Sequence, residues 1–177
     1  MSIVVDLLIA FAELPFDMME IFDPQSYYSR PVKDYREWKK VYLDKKPDRL
    51  ISGNYIKKDQ LGNYKITARG NKTISSYLER NLKIEKPASW DGKWRVIVFD
   101  IPEELRLVRD KFRRRLLVLD FVMIQKSVFC HSVECRKEIM FLIKLYELEP
   151  YVTYLETTEI TTSMNIEQVF RKKGYLK

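Results

Sequence analysis

Asp100 ends an apolar run, Val96–Phe99, and is followed at once by Ile101-Pro102-Glu103-Glu104. A run that short, dense in β-branched and aromatic residues and apolar on both faces, has the pattern of a central strand. Proline has a preset φ and lacks an amide donor, so Pro102 suits the first turn of a helix. Glu103 and Glu104 then meet the positive end of the helix dipole. The spacing therefore places one carboxylate at the carboxyl edge of a buried strand, just before a helix. It could do chemistry there, or it could cap the loop or the helix. Arg106, Arg109 and Arg113 follow along one flank of that helix, and guanidinium groups bind phosphate through paired hydrogen bonds. His131 is the only histidine, which excludes a Ser-His-Asp triad and ordinary zinc chemistry. Cys130 and Cys135 form a C-x4-C pair without the further ligands a metal needs, and read as small apolar packers.

The elements that hold these residues follow from periodicity. Leu105, Val108, Phe112, Leu116 and Leu119 recur at spacings of three and four, the stripe of an amphipathic helix. Phe121–Gln125 and Ser127–His131 are two short strand-like runs. Cys135, Ile139, Leu142, Ile143 and Tyr146 make a second amphipathic helix, ended by Pro150. Tyr151–Ile160 alternates as a further strand, Met164–Phe170 is a last short element, and Arg171–Lys177 is a basic tail. The order βαββαβ is a ferredoxin-like split βαβ.

The segment WDGKWRVIVFDIPEE, the Arg-rich helix and the IQKSVFCHS strand together resemble the CRISPR-associated endonuclease family named Cas-two. The longer form, with an N-terminal extension, looks more like the Cas-two-like central domain of PaaX-type transcriptional regulators and its winged-helix-fused versions. The likeness is strong over Trp90–Phe170. It implies a homodimer packed across its sheets, with the C-terminal element often completing the partner's sheet. It also implies that Asp100 of each protomer faces its counterpart and holds magnesium or another divalent metal for phosphodiester cleavage. By the same resemblance Ser127 orients water or phosphate, and Phe129 packs in the core or dimer interface. Cys130 stands where the endonucleases usually carry Glu, a departure from their pattern. In CRISPR adaptation such a dimer would bridge copies of the integrase subunit. The regulator branch keeps the same D-I-P motif without hydrolysis.

Charge is unevenly spread in this chain of net charge +7. Residues 1–24 hold five acidic residues and no Lys or Arg, whereas residues 25–90 hold sixteen basic residues against seven acidic. With the Arg-bearing helix this makes two basic zones, which suit a polyanion such as DNA or RNA. The apolar N-terminus is interrupted by Asp6 and Glu13 and lacks a basic flank, so neither a signal peptide nor a membrane span is expected. Two lone cysteines fit a cytoplasmic protein.

The first half of the chain reads as helix over 2–14, a break over 23–31, and a helix over 34–43 bearing Lys39 and Lys40 among aromatic residues. A hairpin (54–58 and 64–67) and a helix over 71–81 follow. The sequence Y-K-I-T-A-R-G at Tyr64–Gly70 resembles the closing strand of a winged-helix wing. The expected architecture is therefore α+β: a reduced winged-helix-like domain (1–83), a linker (84–89) and a ferredoxin-like domain (90–177). The expected function is a nucleic-acid-binding homodimer of the Cas-two-like type, as a magnesium-dependent endonuclease or an adaptation scaffold. The alternative is a PaaX-like DNA-binding regulator without catalysis. Arg106, Arg109, Arg113, Lys39, Lys40 and Ser127 are the expected nucleic-acid contacts.

Overall fold

A computed structural model of the protein describes residues 47–58, 60, 64–162 and 165–176. The helices expected over 2–14 and 34–43, with Lys39 and Lys40, lie outside the described residues. The chain divides into two compact units, Met1–Leu82 and Lys83–Lys177.

In the first unit a short helix α1 (Pro47–Ser52) leads into a two-stranded antiparallel hairpin, β1 (Ile56–Lys58) and β2 (Tyr64–Ile66), and then helix α2 (Ala68–Asn81). The hairpin matches the sequence expectation, but α2 begins three residues earlier than periodicity placed it. The reason is Thr67. Its hydroxyl oxygen accepts from the Gly70 amide at 3.1 Å, capping the first turn, and donates to the Asn54 carbonyl at 2.7 Å. Gly70 has to be glycine, since a Cβ there would run into the Tyr55 carbonyl and the Ile66 side chain. Leu50, Ile56, Ile74, Leu78 and Leu82 are buried.

The second unit is a four-stranded antiparallel sheet of β3 (Trp94–Phe99), β4 (Val122–Gln125), β5 (Val128–His131) and β6 (Val152–Thr157), in the order β4-β5-β3-β6. A 3-10 turn (Glu103–Leu105) and helix α3 (Arg106–Val118) join β3 to β4. Helix α4 (Arg136–Leu145) joins β5 to β6, and helix α5 (Ile166–Lys172) follows β6. The first and third strands are central, as a ferredoxin-like fold requires. Register pairs Ile97 with Phe129. Phe99, on the same side of β3, meets Phe112 of α3 edge-on at 5.6 Å and stacks on Phe129 at 5.8 Å. Phe112 and Leu116 of α3, and Ile139, Leu142 and Ile143 of α4, fill the core on that face.

Both long helices end on a residue in the left-handed region, Asp120 (φ 66°) after α3 and Glu147 (φ 56°) after α4. The amides of Phe121 and Leu148, three residues past each helix, reach back to the carbonyls of Leu116 and Ile143 respectively, the Schellman pattern.

Two segments make contacts within the second unit that the sequence does not announce. Residues 84–89 are not a bare connection: Ile84 is buried, and Lys86 donates to the Lys173 carbonyl at 2.7 Å and sits over the Tyr175 ring at 4.7 Å. The C-terminal element was expected to serve a partner's sheet, yet Ile166, Phe170, Tyr175 and Leu176 are buried within their own unit. Phe170 packs 5.6 Å from Trp94, and Tyr175 lies 4.9 Å from His131.

Candidate nucleic-acid interface

The W-D-G-K-W-R motif builds the entry to β3. Asp91 grips the Arg95 guanidinium from two sides and also accepts the Lys93 amide at 3.1 Å, a turn that Gly92 permits at φ 76°. Arg95 further donates to Glu134 through Nε at 3.1 Å and to the Lys93 carbonyl at 2.9 Å. The Arg95 side chain is 3% exposed, while those of Asp91 and Glu134 are about half exposed. The Asp91 bond holds the Arg95 value above its ordinary one, and Arg95 in turn pulls the Asp91 carboxyl down. Trp90 closes the turn, donating from Nε1 to the Lys93 carbonyl at 3.0 Å and packing 4.9 Å from Trp94. The signature that singles out this segment is thus a structural clamp. Arg95 carries no such sign in the sequence, because an arginine beside an apolar run reads as an edge charge. The signal was Asp91 four residues before it.

At the other end of β3, Asp100 is exposed. Its backbone amide donates to the Tyr151 carbonyl at 3.0 Å, and its neighbour Phe99 donates to the Ser127 carbonyl at 3.1 Å. Asp100 and Ser127 therefore come to the same edge of the sheet. Among the described residues no hydrogen bond or ion pair engages the Asp100 carboxylate. The capping role is not what it performs, since Pro102 precedes the 3-10 turn and no side chain closes it. An exposed carboxylate oxygen suits magnesium, which prefers oxygen ligands and keeps several waters. One chain supplies one such group here. Among the described residues no group of three or more His, Cys, Asp or Glu side chains is placed to hold a metal ion.

The arginine flank of α3 divides by use. Arg106 is two-thirds exposed and makes only long pairs, 4.0 Å to Glu103 and 3.9 Å to Asp110. Arg109 is drawn inward, donating to the Ile101 carbonyl at 3.1 Å and to Glu103 at 2.8 Å. That pair fastens the D-I-P-E-E loop to the helix. Arg113 lies 3.7 Å from the Met123 sulfur. Arg114 is exposed and lies along the outer face with Leu107 and Val118. Lys111 sits over the Tyr146 ring at 4.7 Å.

His131 is fully buried, ringed by Phe121 at 5.0 Å, Tyr175 at 4.9 Å and Phe170 at 5.3 Å. Its Nδ1 accepts the Val133 amide at 3.0 Å, and burial lowers its value to about 4. It is a neutral packing ring at physiological pH. Burial pushes the Cys130 thiol up to about 12 and holds Cys135 well above its ordinary value, so neither supplies a thiolate.

The fold and this site define an α+β protein with a ferredoxin-like second unit bearing a cationic helix. Residues 87–169 match the family model described as the PaaX protein central Cas2-like domain. The resemblance read from W-D-G-K-W-R, D-I-P and Q-x-S-V-F holds over that segment, somewhat under half of the chain. No curated protein matches the chain. Among the described residues, no helix is long and apolar enough to cross a membrane.

Proposed function

We propose that this protein is a nucleic-acid-binding homodimer that holds its ligand without cutting it, in the manner of a DNA-binding regulator. The observation that carries this reading is the outer flank of α3. Arg106 and Arg114 are presented to solvent there, while Arg109 secures the adjoining loop to the helix. Guanidinium groups held on a rigid helix suit phosphate contacts, which position a protein on nucleic acid without reading sequence. The match to a PaaX central Cas2-like domain and the helix–hairpin–helix order of the first unit support the regulator form. Pairing through the sheet is supported by Leu155, which is 48% exposed, and by the half-buried Val98 and Val128. Register and alternation set all three on the face opposite Phe99 and Phe129. Sedimentation of the purified protein with and without a fluorescent DNA duplex tests the reading: a dimer that shifts the duplex at low salt supports it, and a monomer that leaves the duplex free overturns it.

A second reading, a divalent-metal-dependent endonuclease, is favoured by Asp100, whose carboxylate is exposed at a strand end with no structural partner among the described residues. Across a two-fold axis two such carboxylates would flank one magnesium ion, whose chemistry would be activation of water at the phosphodiester. Ser127, at the same edge, would orient the phosphate. Asp100→Asn should then abolish metal-dependent cleavage and leave binding unchanged.

A further inference from the structure

Helix α3 sends apolar side chains in two directions. Phe112 and Leu116 fill the core, whereas Leu107, Leu117 and Val118 stand in solvent on the far side, Leu107 at 83% and Val118 at 68% exposure. At about 100° of turn per residue, Leu107, Arg114 and Val118 fall within a sector of roughly 40°. They make one stripe along the helix, with Arg114 two turns after Leu107 and one turn before Val118. Arg114 is exposed within that stripe, and Leu117 lies beside it. Scattered exposed apolar residues need no explanation, but three on one side of one helix, set among charges, mark a contact surface. The packing of Phe112 and Leu116 beneath holds this surface rigid, so a ligand would meet it already formed.

The order of residues in the stripe decides what covers it. A phosphate chain takes up Arg106 and Arg114 but leaves Leu107 and Val118 in water. A lipid surface takes the leucine and the valine, yet it must bury the guanidinium between them without a counter-charge. A second copy of α3 laid on this one sets Arg114 against the cations Lys111 and Arg114 of its mate. A helix that is apolar on one side and acidic among its apolar residues meets every group. Its aliphatic side chains cover Leu107 and Val118, and a carboxylate between them takes paired hydrogen bonds from Arg114. We infer that the outer face of α3 docks an acidic amphipathic helix of a partner protein. Because that carboxylate and a phosphate both claim Arg114, docking and nucleic-acid binding exclude each other. The exclusion rests on the nucleic-acid reading above; the docking does not.

The test uses the full chain and a fluorescent helical peptide of about 20 residues, built of Leu, Glu and Ala with its leucines on one stripe and glutamates among them. Anisotropy should show binding to the wild type. Leu107→Ser with Val118→Ser should weaken it about ten-fold or more, and Arg114→Gln several-fold. All three side chains are exposed, so the melting temperature should stay unchanged. The Leu107→Ser, Val118→Ser protein should keep its affinity for a DNA duplex, and saturating peptide should displace duplex from the wild type. Failure of the wild type to bind the peptide, or equal binding by both variants, overturns the inference. Two other results overturn it by naming a different occupant: binding to phosphatidylserine vesicles that the Leu107→Ser, Val118→Ser change abolishes, or a dimer that the same change dissociates in sedimentation. A wild type that binds the peptide but no duplex at low salt upholds the docking and removes the nucleic-acid reading. A duplex that stays bound beside saturating peptide overturns the exclusion.

Discussion

Asp91 and Arg95, four residues apart, close a two-pronged ion pair that carries the arginine side chain into the base of the sheet, where it is 3% exposed. Glu134, from the segment leading into α4, completes the grip. One guanidinium thereby ties the turn before the first strand to the segment after the third. Because Asp91 and Glu134 are half exposed, the carboxylates can rehydrate if the pair is broken, and the cost falls on the donors of the buried arginine.

Arg95→Lys, which keeps the charge but not the planar fork, should lower unfolding free energy by about 1–3 kcal/mol in urea denaturation. Asp91→Asn should act in the same direction with a smaller effect. The Asp91 value is lowered in the folded chain, so its contribution is present above the unfolded value of about 3.9 and is lost as pH falls below it. An Arg95→Lys variant as stable as wild type would show that the fork does not hold the turn.

His131 gives a second pH signature in a different window. Its value falls from 6.5 to about 4 on folding because burial opposes the charged ring. Above pH 6.5 neither state binds the proton and the group has no pH effect. As pH drops from 6.5 toward 4, the unfolded chain takes up the proton first, and stability declines by up to about 3 kcal/mol. His131→Phe loses the acceptor for the Val133 amide and should be less stable at pH 7. Its stability should nonetheless be flatter than wild type between pH 4 and 6.5. Parallel pH profiles would contradict the burial.

The C-terminal segment is fastened to its own unit. Lys173 donates to Asp120 at 2.6 Å, Tyr175 donates to the same carboxylate at 2.9 Å, and Phe170 and Tyr175 cover His131. Truncation after Gly174 removes two buried apolar side chains, and should cost about 2–4 kcal/mol of stability as read by thermal or urea melts. A truncated protein that melts like the full chain but dissociates would return the tail to a partner-facing role.

Much of the second unit was legible because its signals are periodic. The stripe Phe112–Leu116–Leu119, the apolar run Val96–Phe99 and the strand-like run ending at His131 each report burial, and burial is what the structure shows. Helix α1 was missed because six residues are too few to show a period. Its punctuation was present all the same: Pro47 and Asp48 at the start, and Gly53-Asn54 at the end, with Asn54 at φ 54°. The tail is open to two readings for another reason. Phe170 and Tyr175 are apolar enough for either a core or an interface, and sequence does not say whose core. At the candidate site, the strand-end position of Asp100 followed from the D-I-P pattern. The inward turn of Arg109 did not, because the carbonyl that it binds, at Ile101, carries no sequence signal.

The central claim is that the protein holds nucleic acid without cutting it, and one measurement addresses it directly. Labelled DNA duplex and single-stranded RNA are incubated with the purified protein in magnesium, and in parallel with a chelator. The bound fraction is measured by anisotropy, and strand integrity is then read on a denaturing gel. The predicted result is a complex with the duplex that forms equally with and without the metal, weakens steeply with salt, and releases intact strands. Strands shortened only in magnesium, and left whole by Asp100→Asn, would contradict it in favour of the endonuclease reading, and the absence of any complex at low salt would contradict both.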